Sequence, residues 1–358
     1  MVIYKKKMSE INTTPLVSIC IPTFNGAKYI EETIECAINQ TYQNIEIIIS
    51  DDQSTDNTLK ICNSFAIKDD RIKVFQNKHN IGLVGNWCEV INKTSKKSEW
   101  IKFLFQDDLM NAATVEKMVD CAISSNVDFV LTNRQYFFEK DISNKTKDDY
   151  GNVKKTGKIF TESRKYSPAE VSKLITPYIF HNCLGEPPCT LFKKDKFTTT
   201  DFPLDMPQMV DYVFNLNKIL EGDFYFLNEL LVKFRVHNNS QTNKNTSSLK
   251  KSTKNILRLV EIHFYEKLKI CHLILNNSKF KHINEIMGED NISCIKQYIF
   301  YRSYYKNKGF HTRISNLYRS SNLNSFIFNN CKPSFIFIKY KIANYNLKAR
   351  NLRIKYDI

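Results

Sequence analysis

Glycine-rich phosphate loops are missing from this chain. It has only nine glycines in 358 residues, and they form neither a GxGxxG turn nor a GKS/T loop. The first strand-to-helix turn is instead Pro22-Thr23-Phe24-Asn25-Gly26, which argues against dinucleotide oxidoreductases and phosphate-loop NTPases. Ten cysteines are scattered from Cys20 to Cys331 without a CxxC pair or a regular framework. They read as core thiols of a reducing cytoplasm rather than a disulfide scaffold. Lys5, Lys6 and Lys7 stand near the start with no apolar stretch of signal-peptide length behind them. Nor does any segment approach the roughly 20 apolar residues of a membrane span. These absences lead us to expect a cytoplasmic protein, soluble or peripheral on the inner face of a membrane. No internal repeat is visible.

What is present is a globular composition, 42% apolar and 25% charged, with an alternating pattern. Apolar runs of strand length occur at 16–21, 45–49, 72–75, 100–105 and 127–131, and the segments between them carry helical spacing. Ile30, Ile34, Ala37 and Ile38 share one helical face, as do Val115, Met118, Val119 and Ala122. Asp56 or Asn57 would cap a helix through Leu59, Ile61, Cys62 and Phe65. Strand, helix, strand, helix in this order predicts a Rossmann-like, mostly parallel α/β sheet flanked by helices. The polar, Lys-rich stretch 139–166 reads as an excursion loop or weak hairpin. Strand candidates follow at 225–227 and 230–236. The polar segment 238–254 reads as a linker or lid, and 255–300 as helical.

Two strand candidates end in clustered acids. Asp51-Asp52-Gln53-Ser54-Thr55-Asp56 follows the run at 45–49, and Asp107-Asp108 follows the run at 100–105. Carboxylates at the carboxyl edge of an open α/β sheet stand where such sheets bind ligands. Repulsion among those acids invites a divalent cation. Phe24 is either core or a platform for a flat base.

The ordered series 15–26 (PLVSICIPTFNG), 40–58 (QTYQNIEIIISDDQSTDNT), Asn80-Ile81-Gly82-Leu83 and Gln106-Asp107-Asp108 resembles the family 2 glycosyltransferases of GT-A fold. Gly185-Glu186-Pro187-Pro188, Val210-Asp211-Tyr212 and Phe234-Arg235-Val236-His237 extend the likeness to about residue 240. The resemblance implies that Phe24 stacks on the base, with Pro22 and Asn25 of the same turn at the donor. Asp52 is then the acceptor of a uracil imide N–H, while Asp51 and Asp56 are open to a turn role. Asp107 meets the ribose or a metal-bound water, and Asp108, with His237, ligates Mn²⁺ or Mg²⁺. Glu186 and Arg235 contact the donor, and Asp211 is the general base. Gln106 replaces the first acid of a strict DxD, and Val210 replaces an acid often found before the base.

From the same likeness we expect a GT-A domain over 1–240, its nucleotide-binding part at 15–132 and its acceptor part at 168–237. A linker or lid at 241–254 and a basic helical region at 255–358 would follow. Residues 301–358 hold twelve Lys or Arg against one acid, eleven of the chain's fifteen net positive charges. Interleaved with aromatics, they suit an anionic membrane surface or single-stranded nucleic acid. Beside a sugar-transferring head the membrane is the expected partner and nucleic acid is not. The expected activity is therefore inverting, metal-dependent transfer from a nucleoside diphosphate sugar, UDP foremost, to a glycan or lipid-linked oligosaccharide of the cell surface. The alternative is a non-catalytic, basic nucleic-acid-binding protein. A nucleotidyltransferase would carry a glycine-rich pyrophosphorylase loop, which is absent.

Overall fold

The computed structural model describes residues 14–152, 156–206, 208–238 and 253–290, together with 292 and 296. The chain opens with β1 (Val17–Thr23), α1 (Ile30–Ile38), β2 (Ile45–Asp51), α2 (Thr58–Ala66), β3 (Ile72–Gln76), α3 (Gly82–Asn92) and β4 (Trp100–Phe103). A short β5 (Leu109–Met110), α4 (Thr114–Ser125) and β6 (Phe129–Phe138) follow. After α5 (Asn144–Asn152) come β7 (Arg164–Tyr166), α6 (Pro168–Ile175), β8 (Thr190–Lys193), α7 (Val210–Glu221) and β9 (Phe224–Val236). The last described helices are α8 (Thr253–Asn276) and α9 (Lys281–Met287).

The strands form one nine-stranded sheet in the order β3-β2-β1-β4-β8-β6-β9-β5, with β7 also on β9. The first four are mutually parallel, β8 runs against both β4 and β6, and β9 is parallel to β6. Every residue of β1, β2 and β4 is buried, as expected for strands covered on both faces. Alternation divides the core: Val17, Ile19 and Ile21 face one cluster with α1 and α4, and Cys20 faces the other with α3, α6 and α7. Asn126 ends α4 with φ 50°, a left-handed turn that Asn tolerates better than most residues. Ser167 caps α6, with Pro168 at its first position.

Three details differ from the sequence reading. The stretch 139–166 is not a plain loop, for it contains α5 and then β7, which pairs antiparallel with β9. Its anchor is Tyr150, whose ring meets Tyr136, Phe138 and Phe234, and one aromatic in a polar segment makes little periodicity. The two candidates 225–227 and 230–236 are a single strand, β9, which continues through a register irregularity opposite Thr132 and Asn133. The helical block after 255 is broken at Asn277, whose side chain accepts from the Lys279 N–H and starts a new turn. Of the expected linker at 241–254, Thr253 and Lys254 already belong to α8, while 241–252 and the basic tail at 301–358 lie outside the described residues. Among the described residues, no helix is long and apolar enough to cross a membrane.

Candidate active site

In-register pairing of Thr23 with Asp51, and of Asp51 with Gln76, lines up the carboxyl ends of β1, β2 and β3. The loop after β1 is tied to the loop after β2. The Asn25, Gly26 and Ala27 N–H groups donate to Ser54 Oγ (2.8 Å), Thr58 Oγ1 (2.8 Å) and Asp56 Oδ2 (3.1 Å), and Asn25 Oδ1 accepts from the Thr55 N–H. Asp56 thus serves the turn. Asp51 does too, accepting from the Ser54 N–H and the Thr23 hydroxyl. The ring of Phe24 is left 45% exposed at the sheet edge, free to present a face to a ligand.

Asp52 is almost fully buried. Its oxygens accept from the Ile81 N–H (2.8 Å), the Gly82 N–H (2.9 Å) and Asn77 Nδ2 (2.9 Å). A carboxylate at the N-terminus of α3 is favoured by that helix's dipole, so Asp52 anchors α3 beneath the base loop. Pro22, the sixth residue of β1, is buried within the strand.

Gln106 has a defined task that the DxD comparison alone does not suggest. Its side-chain amide pairs with the backbone of Phe24 on both sides, Oε1 accepting from the N–H (2.8 Å) and Nε2 donating to the carbonyl (3.1 Å). Gly26 makes room for it, since a Cβ there would lie 2.3 Å from Gln106 Oε1. From α1, the Thr33 hydroxyl fastens the same segment by donating to the carbonyls of Gln106 and Asp108.

The pairing of β5 with β9 brings Arg235 and His237 beside the acid pair. His237 Nε2 lies 2.9 Å from Asp107 Oδ2, and the Arg235 N–H donates to Asp108 Oδ1 at 3.0 Å. The Arg235 guanidinium binds the Asp107 carbonyl and Glu32 and lies over the rings of Tyr29 and Phe137. It braces the acidic loop. Asp108 is 1% exposed and its Oδ2 has no partner. Burial, with Asp107 alongside, holds its carboxyl well above the usual range. An orphaned, buried carboxylate oxygen is what a cation site supplies. No three His, Cys, Asp or Glu side chains converge on a metal position among the described residues, so such a site would be completed by phosphates, as Mg²⁺ sites commonly are.

Asp211 stands in the first turn of α7. Asn182 Nδ2 donates to both its oxygens (3.1 and 3.0 Å), and the Tyr212 N–H donates to Oδ1 (2.8 Å). Burial and the nearby Glu186 push it up to about 6. The charge of Glu186 raises both Asp108 and Asp211. Its own partner is Arg134 Nε at 2.7 Å. Gly185, at φ +90°, leaves room for that guanidinium, 2.7 Å from where a Cβ would stand.

The structure therefore gathers Asp107, Asp108, Arg235 and His237 into one cluster. Glu186, whose charge raises both Asp108 and Asp211, pairs with Arg134, Asp211 stands on α7, and Phe24, Asn25 and Asp52 lie at the β1–β2 edge. Sequence reasoning passed over Asn182, Arg134 and Lys102. Asn182 carries no local signal. Lys102 does, as a cation inside an otherwise apolar strand, whereas Arg134 follows Thr132 and Asn133 in β6 and does not stand out. Lys102 Nζ, fully buried, donates to the carbonyls of Phe103 and Pro188, and burial brings it down to about 8.

Comparison with known proteins agrees with this fold. The family model described as Glycosyl transferase family 2 matches residues 18–184. An uncharacterized glycosyltransferase of Haemophilus influenzae is 28% identical over 81% of this chain and 86% of its own length. The Escherichia coli UDP-Glc:alpha-D-GlcNAc-diphosphoundecaprenol beta-1,3-glucosyltransferase WfaP is 39% identical over 35% of this chain, and the match spans 48% of WfaP. Among solved structures, S. aureus TarS 1–349 in complex with UDP-GlcNAc superposes with a TM-score of 0.56 at 18% identity, covering 81% of this chain and 73% of that one. Residues 18–184 belong to glycosyltransferase family 2, and the chain is a glycosyltransferase of GT-A fold.

Proposed function

We propose that the protein is an inverting transferase that moves a sugar from UDP to a hydroxyl of a cell-surface glycan or lipid-linked oligosaccharide. The observation that carries this reading is Asp211, held by Asn182 and a backbone N–H and poised near neutrality. A general base works best with a pKa near the working pH. The UDP-GlcNAc bound by TarS and the UDP-glucose and diphosphoundecaprenol in the name of WfaP support the donor and the acceptor class.

In this reading Phe24 stacks on the uracil, Asn25 and Pro22 shape its edge, and Asp52 fixes the loop that receives the imide. Asp107 faces the ribose, and Glu186 and Arg235 flank the sugar and diphosphate. Mn²⁺ or Mg²⁺ would be held by Asp108 and His237, and when bound it offsets the charge growing on the leaving diphosphate. The acceptor oxygen forms a bond to the anomeric carbon while the bond from that carbon to the β-phosphate oxygen breaks. The electron pair leaves with UDP, and the acceptor proton passes to Asp211. One displacement from the opposite face inverts the anomeric centre.

The domain scheme follows: residues 15–132 bind the donor and 168–237 the acceptor. The basic tail holds the enzyme on an anionic inner membrane surface, where each engaged Lys or Arg contributes roughly 1 kcal/mol. A screen of nucleotide sugars for released diphosphate, with and without Mn²⁺, tests the reading. Turnover of a UDP-sugar that needs the cation is expected. Cation-independent turnover, or turnover of non-uridine donors alone, would overturn it.

A further inference from the structure

Helix α7 carries Asp211, yet its N-cap residue, Met209, offers no capping side chain. The segment that enters it is held from outside, by α8. Glu266 is fully buried, and its Oε1 accepts the Gln208 N–H at 2.7 Å, while the Met209 amide also favours its ionised form. One helical position away Tyr265 donates its hydroxyl to Asp205 Oδ2 (2.9 Å), and a turn further on Lys269 pairs with the same oxygen at 2.6 Å. Three side chains of α8 thus strap the lead-in to the base-bearing helix. Leu268, Ile270, Cys271 and Ile274 fix α8 itself, being buried in the same core as Val210, Tyr212 and Val213 of α7. The second oxygen of Glu266 is buried without a partner. Keeping a carboxylate there costs desolvation energy that an apolar side chain would avoid, so packing alone does not account for it.

We propose that Glu266 is a positioning residue for sugar transfer: from α8 it caps the chain entering α7 and so sets where Asp211 meets the acceptor hydroxyl. The inference rests on the reading of Asp211 as the base. It draws into the reaction a helix that lies beyond the matched residues 18–184. The charged groups that bear on Glu266 are Asp211 on α7 and Asp205 on the lead-in, and Asp205 is itself bound by Tyr265 and Lys269 of α8. Burial pushes Glu266 up to about 7, so it ionises in the range where Asp211 works. Around pH 6, where Asp211 takes up its proton, Glu266 is mostly uncharged and acts through its acceptor oxygen on the Gln208 N–H.

The test uses the full chain with Glu266→Ala and Glu266→Gln. Misplacing a catalytic group by about an ångström can cost up to roughly a hundredfold. In Glu266→Ala the kcat should therefore fall by about ten- to a hundredfold, with UDP affinity unchanged. Glu266→Gln keeps an acceptor oxygen and should recover most of the rate. Wild-type kcat in Glu266→Ala, or a Gln variant as slow as the Ala variant while UDP still binds, overturns the proposal. Should Glu266→Ala lose UDP binding altogether, the Gln variant decides alone: UDP binding with most of the wild-type kcat supports the role, and UDP binding with a kcat lowered tenfold or more refutes it. If the wild type turns over no nucleotide sugar, the proposed function fails and the strap is judged by amide hydrogen exchange. Faster exchange at Gln208 and Met209 in Glu266→Ala supports it, and unchanged exchange overturns it.

Discussion

Along β1, β2 and β4, the residues of interest leave their strands within a few positions: Phe24 after Thr23, Asp52 after Asp51, and Asp107 and Asp108 soon after Phe103. In the half built from β6 to β9 they come from scattered segments. Asp211 on α7 is oriented by Asn182 from a turn 29 residues earlier, Glu186 is paired by Arg134 from β6, and α7 is strapped by Glu266 from 58 residues beyond Gln208. A buried parallel sheet delivers its strand ends to one edge whatever the connections do. The half from β6 to β9 has no such geometric guarantee and must be assembled from packing. The first half can be rewritten only inside its loops, whereas the second can be altered from a distance.

The sharpest way to break this contrast is at Asp211. Asp211→Asn keeps shape and the Asn182 contact but cannot take a proton, so transfer should fall by roughly 10²–10⁴-fold with UDP affinity retained. Wild-type transfer should itself decline as pH falls through about 6, where Asp211 becomes protonated. Stability carries the matching sign. A carboxyl raised in the folded state contributes fully below its unfolded value and loses that contribution as pH rises through about 6. Melting curves should therefore show the wild type losing ground to Asp211→Asn between pH 4 and pH 7, a range spanning that titration.

Next in size is Asp108→Ala. Removing a ligand should cost at least the roughly 10–100-fold in metal affinity that loss of an outer partner costs. Calorimetry with UDP and Mn²⁺ should then give the same weak affinity with and without the cation. Phe24→Ala follows: base stacking on an aromatic is worth roughly 1–3 kcal/mol, so UDP should bind more weakly while inorganic diphosphate is unaffected.

The smallest effect sharpens the comparison by asking whether a loop contact behaves locally. Gln106→Ala removes two neutral hydrogen bonds of about 1 kcal/mol each, and should raise the donor KM by about tenfold or somewhat more with kcat little changed. Gly26→Ala should reproduce it, because the added Cβ would displace the Gln106 amide. A fall in kcat instead of a rise in KM would mean that the base loop reaches into the acceptor half.

Much of this protein was legible in its residues. Continuous apolar runs ending in acids predicted the parallel strands and the edge where the acids gather, because a strand buried on both faces has to be apolar throughout. The ordered motifs marked Phe24, Asp52, Asp107, Asp108 and Asp211 for the same reason: each is tied to a nearby strand end or helix start. Asn182, Arg134 and Glu266 stayed hidden. Asn182 resembles any loop amide, Arg134 any strand cation, and Glu266 any acid on a helix, until folding buries them against partners tens of residues away.

The sequence by itself thus determined which elements form and which carboxylates reach the sheet edge, since strand and helix periodicity and turn chemistry are local. Only the tertiary structure decided that Asp52 is spent on the N-terminus of α3, that Gln106 clamps the base loop, and that a C-terminal helix holds the lead-in to Asp211. The physical reason is that burial and charge pairing depend on who the neighbours are, and those neighbours are chosen by packing between distant parts of the chain.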